Sequence, residues 1–180
     1  MELLLSNLTV QRMIGIPDMW LFWSLAVVVV VIAFGLYSNK VSDKRRFTLW
    51  TLLIEYVLIV FCATVICRSA YSPHRIEAMP LWIYREVLNG NPKVTPMDIL
   101  FNILLLFPIG VLLAGVLPKL KIWHVFVIGL LLSLTIETLQ YVFSKGVAQL
   151  DDLMHNSLGC VAGWFLVNTV FGKIKTKRTN

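Results

Sequence analysis

Five runs of this chain stay apolar over about twenty residues, the length a helix needs to cross a hydrocarbon core. They are roughly Met19–Tyr37, Phe47–Cys67, Met97–Leu117, Ile122–Phe143 and Asp152–Gly172, the last apolar after its first turn. Pro17 fits the first helical position of the first run. Pro118 closes the third on one side of a tight turn holding Lys119 and Lys121. The pattern predicts an all-α fold, a polytopic membrane helix bundle of about five transmembrane helices in one domain spanning residues 1–180.

Polar positions inside these runs are few and ordered. Ser133, Glu137, Gln140 and Ser144 fall at i, i+4, i+7 and i+11, one face of a helix. Asp152, Asn156, Gly159 and Gly163 repeat that spacing in the fifth run, and Asp98 and Asn102 are four apart in the third. At the helical rise, Glu137 lies about 9 Å inward of Phe143, and Asn102 and Asn156 lie about 6 Å inward of Asp98 and Asp152. Short connections make the third, fourth and fifth runs expected neighbours. Their stripes then line one pocket open to a single side. Polar groups at membrane depth are costly, which makes such a pocket a functional hypothesis by default.

Composition agrees with the runs. The chain is 58% hydrophobic and 14% charged, against about 45–50% and about 25% in ordinary soluble domains. One buried helix of a large soluble domain can mimic such a run, but not five in 180 residues. The net charge of +6 needs no nucleic acid, because basic residues meeting anionic lipid account for it. Ten of the 16 Lys and Arg residues flank run ends on one side: Lys40, Lys44, Arg45, Arg46, Lys119, Lys121, Lys173, Lys175, Lys177 and Arg178. Arg12, Arg68, Arg75, Arg85, Lys93 and Lys145 take the other. The positive-inside rule then sets the amino terminus outside and the carboxyl terminus inside. The first run is read as a span rather than a cleavable signal, because its basic cluster follows the apolar stretch.

Outside the runs, residues 3–14 within segment 1–18 fit an amphipathic helix in the outer interface. The outer connection, residues 68–96, is broken by Pro and Gly, and its middle piece Leu81–Leu88 mixes Trp82, Ile83, Tyr84 and Val87 with Arg85 and Glu86. It is either a loop resting on the bilayer or a lid over the pocket. Gly159 and Gly163 form a GxxxG, whose ordinary role is close helix packing. Cys62, Cys67 and Cys160 read as small apolar packing residues, since a spacing of five on one α-helix suits a disulfide poorly. Pro108-Ile109-Gly110 is expected to kink the third helix. His155 follows Asp152 by three, but one histidine makes a weak zinc site. Glu55 has no evident partner, and P-loop, Gly-x-Ser-x-Gly and HExxH patterns are absent.

The carboxylates admit three roles. They can pair structurally with Arg68, Arg75, Arg85 or Lys145. With amide oxygens they can hold a divalent cation such as Mg²⁺ or Ca²⁺. One can serve as a general acid or base. Pairing is the ordinary reading for any single residue, and a pocket is the better reading for the set.

These residues carry a resemblance. Asn102 with Leu104–Gly110 (LLLFPIG), Glu137-Thr-Leu-Gln140, and Asp152-Leu-Met-His-Asn156-Ser-Leu-Gly159 resemble, in order and spacing, the motifs of the VanZ-like family. That family is named for a teicoplanin-resistance membrane protein, and the motif region covers about residues 68–172. Two departures touch the pocket. Ala78-Met79-Pro80-Leu81-Trp82 stands where members often show an N-L-x-P-F-like piece, and Gln149 stands where they often carry an acid, with Asp151 nearby. The resemblance implies a multi-pass protein of a bacterial cytoplasmic membrane linked to reduced glycopeptide susceptibility. The expected partner is an amphiphile at the outer leaflet: a membrane lipid, a lipid-linked cell-wall precursor or a lipoglycopeptide. Glu137 and Asp152 are the catalytic candidates. Asn102, Gln140, Asn156 and Asp98 are candidates for binding substrate, and Arg75 and Arg85 for gripping its phosphate or carboxylate. A non-catalytic lipid- or antibiotic-binding protein, or an accessory subunit of an envelope enzyme, is the alternative. A small transporter is disfavoured by the odd span count and the lack of inverted repeats.

Overall fold

The computed structural model describes residues 18–38, 42–68, 74–91 and 94–177, without the side chains of 18–26 and 171–177. The expected interfacial helix at 3–14 lies outside the described residues. Helix α1 (Asp18–Tyr37) is followed by α2 (Lys44–Phe61), which runs into one π-helical turn, Cys62–Ile66. Then come β1 (Arg75–Glu77), α3 (Trp82–Leu88), α4 (Pro96–Val116), α5 (Ile122–Val142), β2 (Val147–Gln149) and α6 (Leu150–Lys177).

Local chemistry fixes the helix starts. Asp43 caps α2, its Oδ1 accepting the Arg46 N–H at 2.9 Å. At α4, Pro96 takes the first helical position, and Asp98 Oδ2 accepts from Thr95 N at 2.6 Å and Thr95 Oγ1 at 3.0 Å. Pro108 sits inside α4, which is one helix from Pro96 to Val116.

Three helical segments among the described residues are long and apolar enough to cross a membrane: Lys44–Ile66, Pro96–Val116 and Ile122–Val142. This is fewer than the five expected. The described side chains of α1 form a shorter apolar helix, Val27–Tyr37. Helix α6 has ample length but carries Asp151, Asp152, His155 and Asn156 in its first turns. Large apolar residues stand on the outside, including Val29, Ile54, Leu131 and Phe165, each more than half exposed. Such an apolar exterior suits lipid and not water.

The core gathers Leu53, Val60, Leu106, Ile109, Leu113, Val125, Ile136 and Cys160. Helix α6 is central, packing most extensively on α4 and then on α5, with α2 against α4 and α1 against α2. Consecutive α4 and α5 touch only slightly, so the expected α4–α5 adjacency gives way to a wedge. Glycine is the reason. A Cβ at Gly159 would strike the Ile103 carbonyl oxygen, one at Gly163 that of Phe107, and one at Gly110 that of Cys160. Three missing side chains let α4 and α6 approach backbone to backbone.

At one end of the bundle, the loop end, β1 and β2 pair in parallel, with Ile76 opposite Ala148. Three-residue strands are too short for a sequence pattern to reveal. Helix α3 is tied to the start of α6 and buries Ile83 to 2% exposure. The opposite, basic end holds the start of α2 and the α4–α5 turn.

The π-helical turn changes the reading of two cysteines. Cys67 N donates to Cys62 O at 2.8 Å, an i to i+5 bond, and the two sulfurs come to 3.0 Å. On a plain α-helix, residues five apart point away from each other. Cys160 is fully buried in the core, as a packing residue.

Candidate functional site

The polar stripes face inward. Ser133 and Asn156 are at most 1% exposed, and Glu137 and Gln140 are each 5% exposed. Asn102 Nδ2 on α4 donates to Asp152 Oδ1 on α6 at 2.5 Å. Asn156 Nδ2 on α6 donates to Ser133 Oγ on α5 at 2.8 Å, and that hydroxyl in turn donates to the Asp152 carbonyl at 3.4 Å. Three helices are thus tied by polar contacts. Asn156 Oδ1 is buried with no hydrogen-bond partner among the described residues.

Glu137 is held from above. Its Oε2 accepts the Gln149 N–H at 3.0 Å, so β2 anchors the carboxylate and not a basic side chain. Gln140 Nε2 donates to the Thr64 carbonyl in the π-helical turn at 3.1 Å. Thr64 lies in the last turn of that segment, where backbone carbonyls run out of intrahelical donors. Arg68, just past that turn, acts electrostatically on both Glu137 and Asp152. Gly146 lies against the Arg68 and Gln140 side chains, its Cβ position 3.4 Å from Arg68 Nη1 and 3.5 Å from Gln140 Oε1. Asp98 and Asp151 add negative charge near Asp152.

Asp151 and His155, which the sequence brings up only separately, form a second polar row on α6. Asp151 is 5% exposed. Its Oδ1 accepts the Leu81 N–H at 2.7 Å and its Oδ2 the Ile83 N–H at 2.9 Å. This carboxylate caps α3 from another helix, and Leu81 takes a left-handed φ of 59° to present its N–H. His155 Nε2 shares a 2.8 Å hydrogen bond with the Tyr84 hydroxyl, while its Nδ1 is buried without a partner among the described residues. His74 Nδ1 donates to the Tyr141 carbonyl at 2.7 Å. Together these bonds hold the 74–91 connection down on α5 and α6.

Other candidates stand apart. Arg75 is exposed and pairs with Glu77 at 3.3 Å. Arg85 is exposed and donates to Met79 Sδ at 3.0 Å. Both lie on the loop, without a direct hydrogen bond to the buried carboxylates. Asp98 serves first as the α4 cap. Glu55 Oε1 is buried without a hydrogen-bond partner among the described residues. No group of three or more metal-ligating side chains converges among the described residues.

Beside this cluster an open groove of about 260 Å³ runs between β1, β2, α5 and α6. Ile76, Ala148, Leu134, Leu150 and Leu153 give it apolar walls, and Glu137 and Gln149 line it. Leu134 and Leu150 are 48% and 37% exposed, so the groove opens sideways from the bundle. Gln149 Oε1 is buried there with no hydrogen-bond partner among the described residues. Only one Glu137 oxygen is engaged among the described residues, which leaves the other for a proton, a cation or a ligand.

Comparisons with known proteins bear on this site. A family model described as VanZ/LLP1 matches residues 20–171, which include α4, α5, the start of α6 and every polar group above. No curated protein and no solved structure matches the chain. With the match running over most of its length, the chain belongs to the VanZ/LLP1 family.

Proposed function

We propose that this protein crosses the membrane five times, amino terminus outside, and acts on or binds an amphiphile at the outer leaflet. The amphiphile is a lipid, a lipid-linked cell-wall precursor or a lipoglycopeptide. The observation that carries this reading is the sideways groove, whose apolar walls end on Glu137. An acyl chain needs apolar walls with lateral access, and a headgroup needs convergent polar groups. Both occur within one site at the loop end. The charge asymmetry of the connections supports the orientation, and α1 and α6 would complete the five spans.

In this reading Glu137 is the acid/base or cation-holding group, with Asp152 beside it. Asn102, Gln140 and Asn156 fix its surroundings, and Arg68 supplies countercharge. The 74–91 connection acts as a lid, with exposed Arg75 and Arg85 offering donors to a phosphate or carboxylate. The family link extends the reading to lowered teicoplanin susceptibility in a bacterial cytoplasmic membrane.

A second reading rests on the Asn102–Asp152 and Asn156–Ser133 bonds. Polar groups that satisfy one another across three helices also suit a non-catalytic binding or accessory protein. Comparative mass spectrometry of membrane lipids and cell-wall precursors, with and without the protein, separates the two. A species altered by the protein and unaltered by E137Q is expected. Full alteration by a well-folded E137Q variant would sink the catalytic assignment, and no altered species at all would favour the binder.

A further inference from the structure

We propose that the basic end carries a second, separate site that binds a phosphate-bearing anion, the headgroup of an anionic lipid. A cavity of about 570 Å³ lies there, lined by Arg45, Arg46, Lys119 and His124 on walls that include Leu49, Val116 and Leu120. Three elements build it: the first turn of α2, the α4–α5 turn and the first turn of α5. Asp43 is the only acidic residue in the lining, and one of its oxygens is occupied by the Arg46 N–H. The only ion pair among the described residues is Arg75–Glu77 at the other end. Arg45, Arg46 and Lys119 therefore line the cavity with no ion pair among the described residues, and Asp43 is the one carboxylate set against three cations.

Position selects the lipid over free phosphate. The cavity sits where all three membrane-length helices begin or end, which is headgroup depth. Its apolar walls adjoin lipid-facing positions, so a headgroup can enter with its chains left in the bilayer. Basic pockets between membrane helices hold anionic headgroups in this way. The site is remote from Glu137 and independent of what happens there.

The test uses purified full-length protein in neutral detergent, with retention followed by native mass spectrometry. Phosphatidylglycerol, phosphatidylcholine and inorganic phosphate are added in separate arms. Phosphatidylglycerol is expected to be retained, and neither phosphatidylcholine nor inorganic phosphate. Removing three charges in R45Q/R46Q/K119Q is expected to weaken retention on the order of 100-fold. The single variants R45Q, R46Q and K119Q, each expected to weaken retention by about 5-fold, carry the test if the triple does not fold. Equal retention of phosphatidylcholine, or full retention by the folded variants, overturns the site. Binding of inorganic phosphate alone overturns the lipid assignment in favour of a soluble phosphate.

Discussion

Asp151 shows how much one side chain can organise here. Its two oxygens take two backbone N–H groups of the 74–91 connection, at 2.7 and 2.9 Å, from a place that is 5% exposed. Bonds to a charged acceptor contribute about 1.5–3 kcal/mol each. D151A should therefore cost about 3 kcal/mol or more, and thermal melting in detergent should fall by roughly 6–12 °C. D151N keeps an acceptor for one N–H and should fall in between. Melting unchanged in D151A would mean that the connection is held by other contacts. The neighbouring residues differ in how readable they were. Glu137, Gln140, Asp152 and Asn156 lie on stripes with helical spacing, and the structure buries Glu137, Gln140 and Asn156 on those stripes. Asp151 and His155 are also four apart, but their partners Leu81, Ile83 and Tyr84 lie about 70 residues away. A local pattern holds no record of such a partner. Arg68 was one of four cations that could pair with the carboxylates, and the π-turn that sets it apart from the other three has no sequence signature.

Among the elements, helices were the most legible and their neighbours the least. The apolar runs located α2, α4 and α5 to within a few residues, because a membrane-length run leaves little freedom. Short connections suggested that chain order sets adjacency. Gly110, Gly159 and Gly163 instead draw α6 onto α4, a choice made by backbone proximity rather than loop length. The π-helical turn at Cys62–Ile66 makes its own prediction. It brings the two thiols to 3.0 Å across the turn that precedes Arg68. Treatment with diamide should oxidise both thiols to one intramolecular disulfide, the reagent taking up the two electrons and two protons. Intact-mass measurement should show a loss of about 2 Da, reversed by reductant and absent in C62S. Two thiols still open to alkylation after diamide would mean that the turn does not hold them together in the membrane.

Over the whole molecule, polarity is divided between two ends. One end gathers buried carboxylates, amides and a folded connection beside a sideways apolar groove. The other gathers Arg45, Arg46 and Lys119 around a larger cavity, with no ion pair there among the described residues. The overall class was plain from hydropathy and charge. The groove was not, because it depends on β1 and β2 meeting across a long connection. The central claim is that an amphiphile lies in that groove against Glu137. The most direct measurement is photolabelling in native membranes with a phospholipid carrying a diazirine near the end of one acyl chain, followed by peptide mapping. The account predicts label concentrated on Leu134, Leu150 and Leu153, and lost from them when L153W fills the groove while labelling elsewhere persists. Label spread evenly over the exposed faces of α2, α4 and α5, and unaltered by L153W, would contradict it.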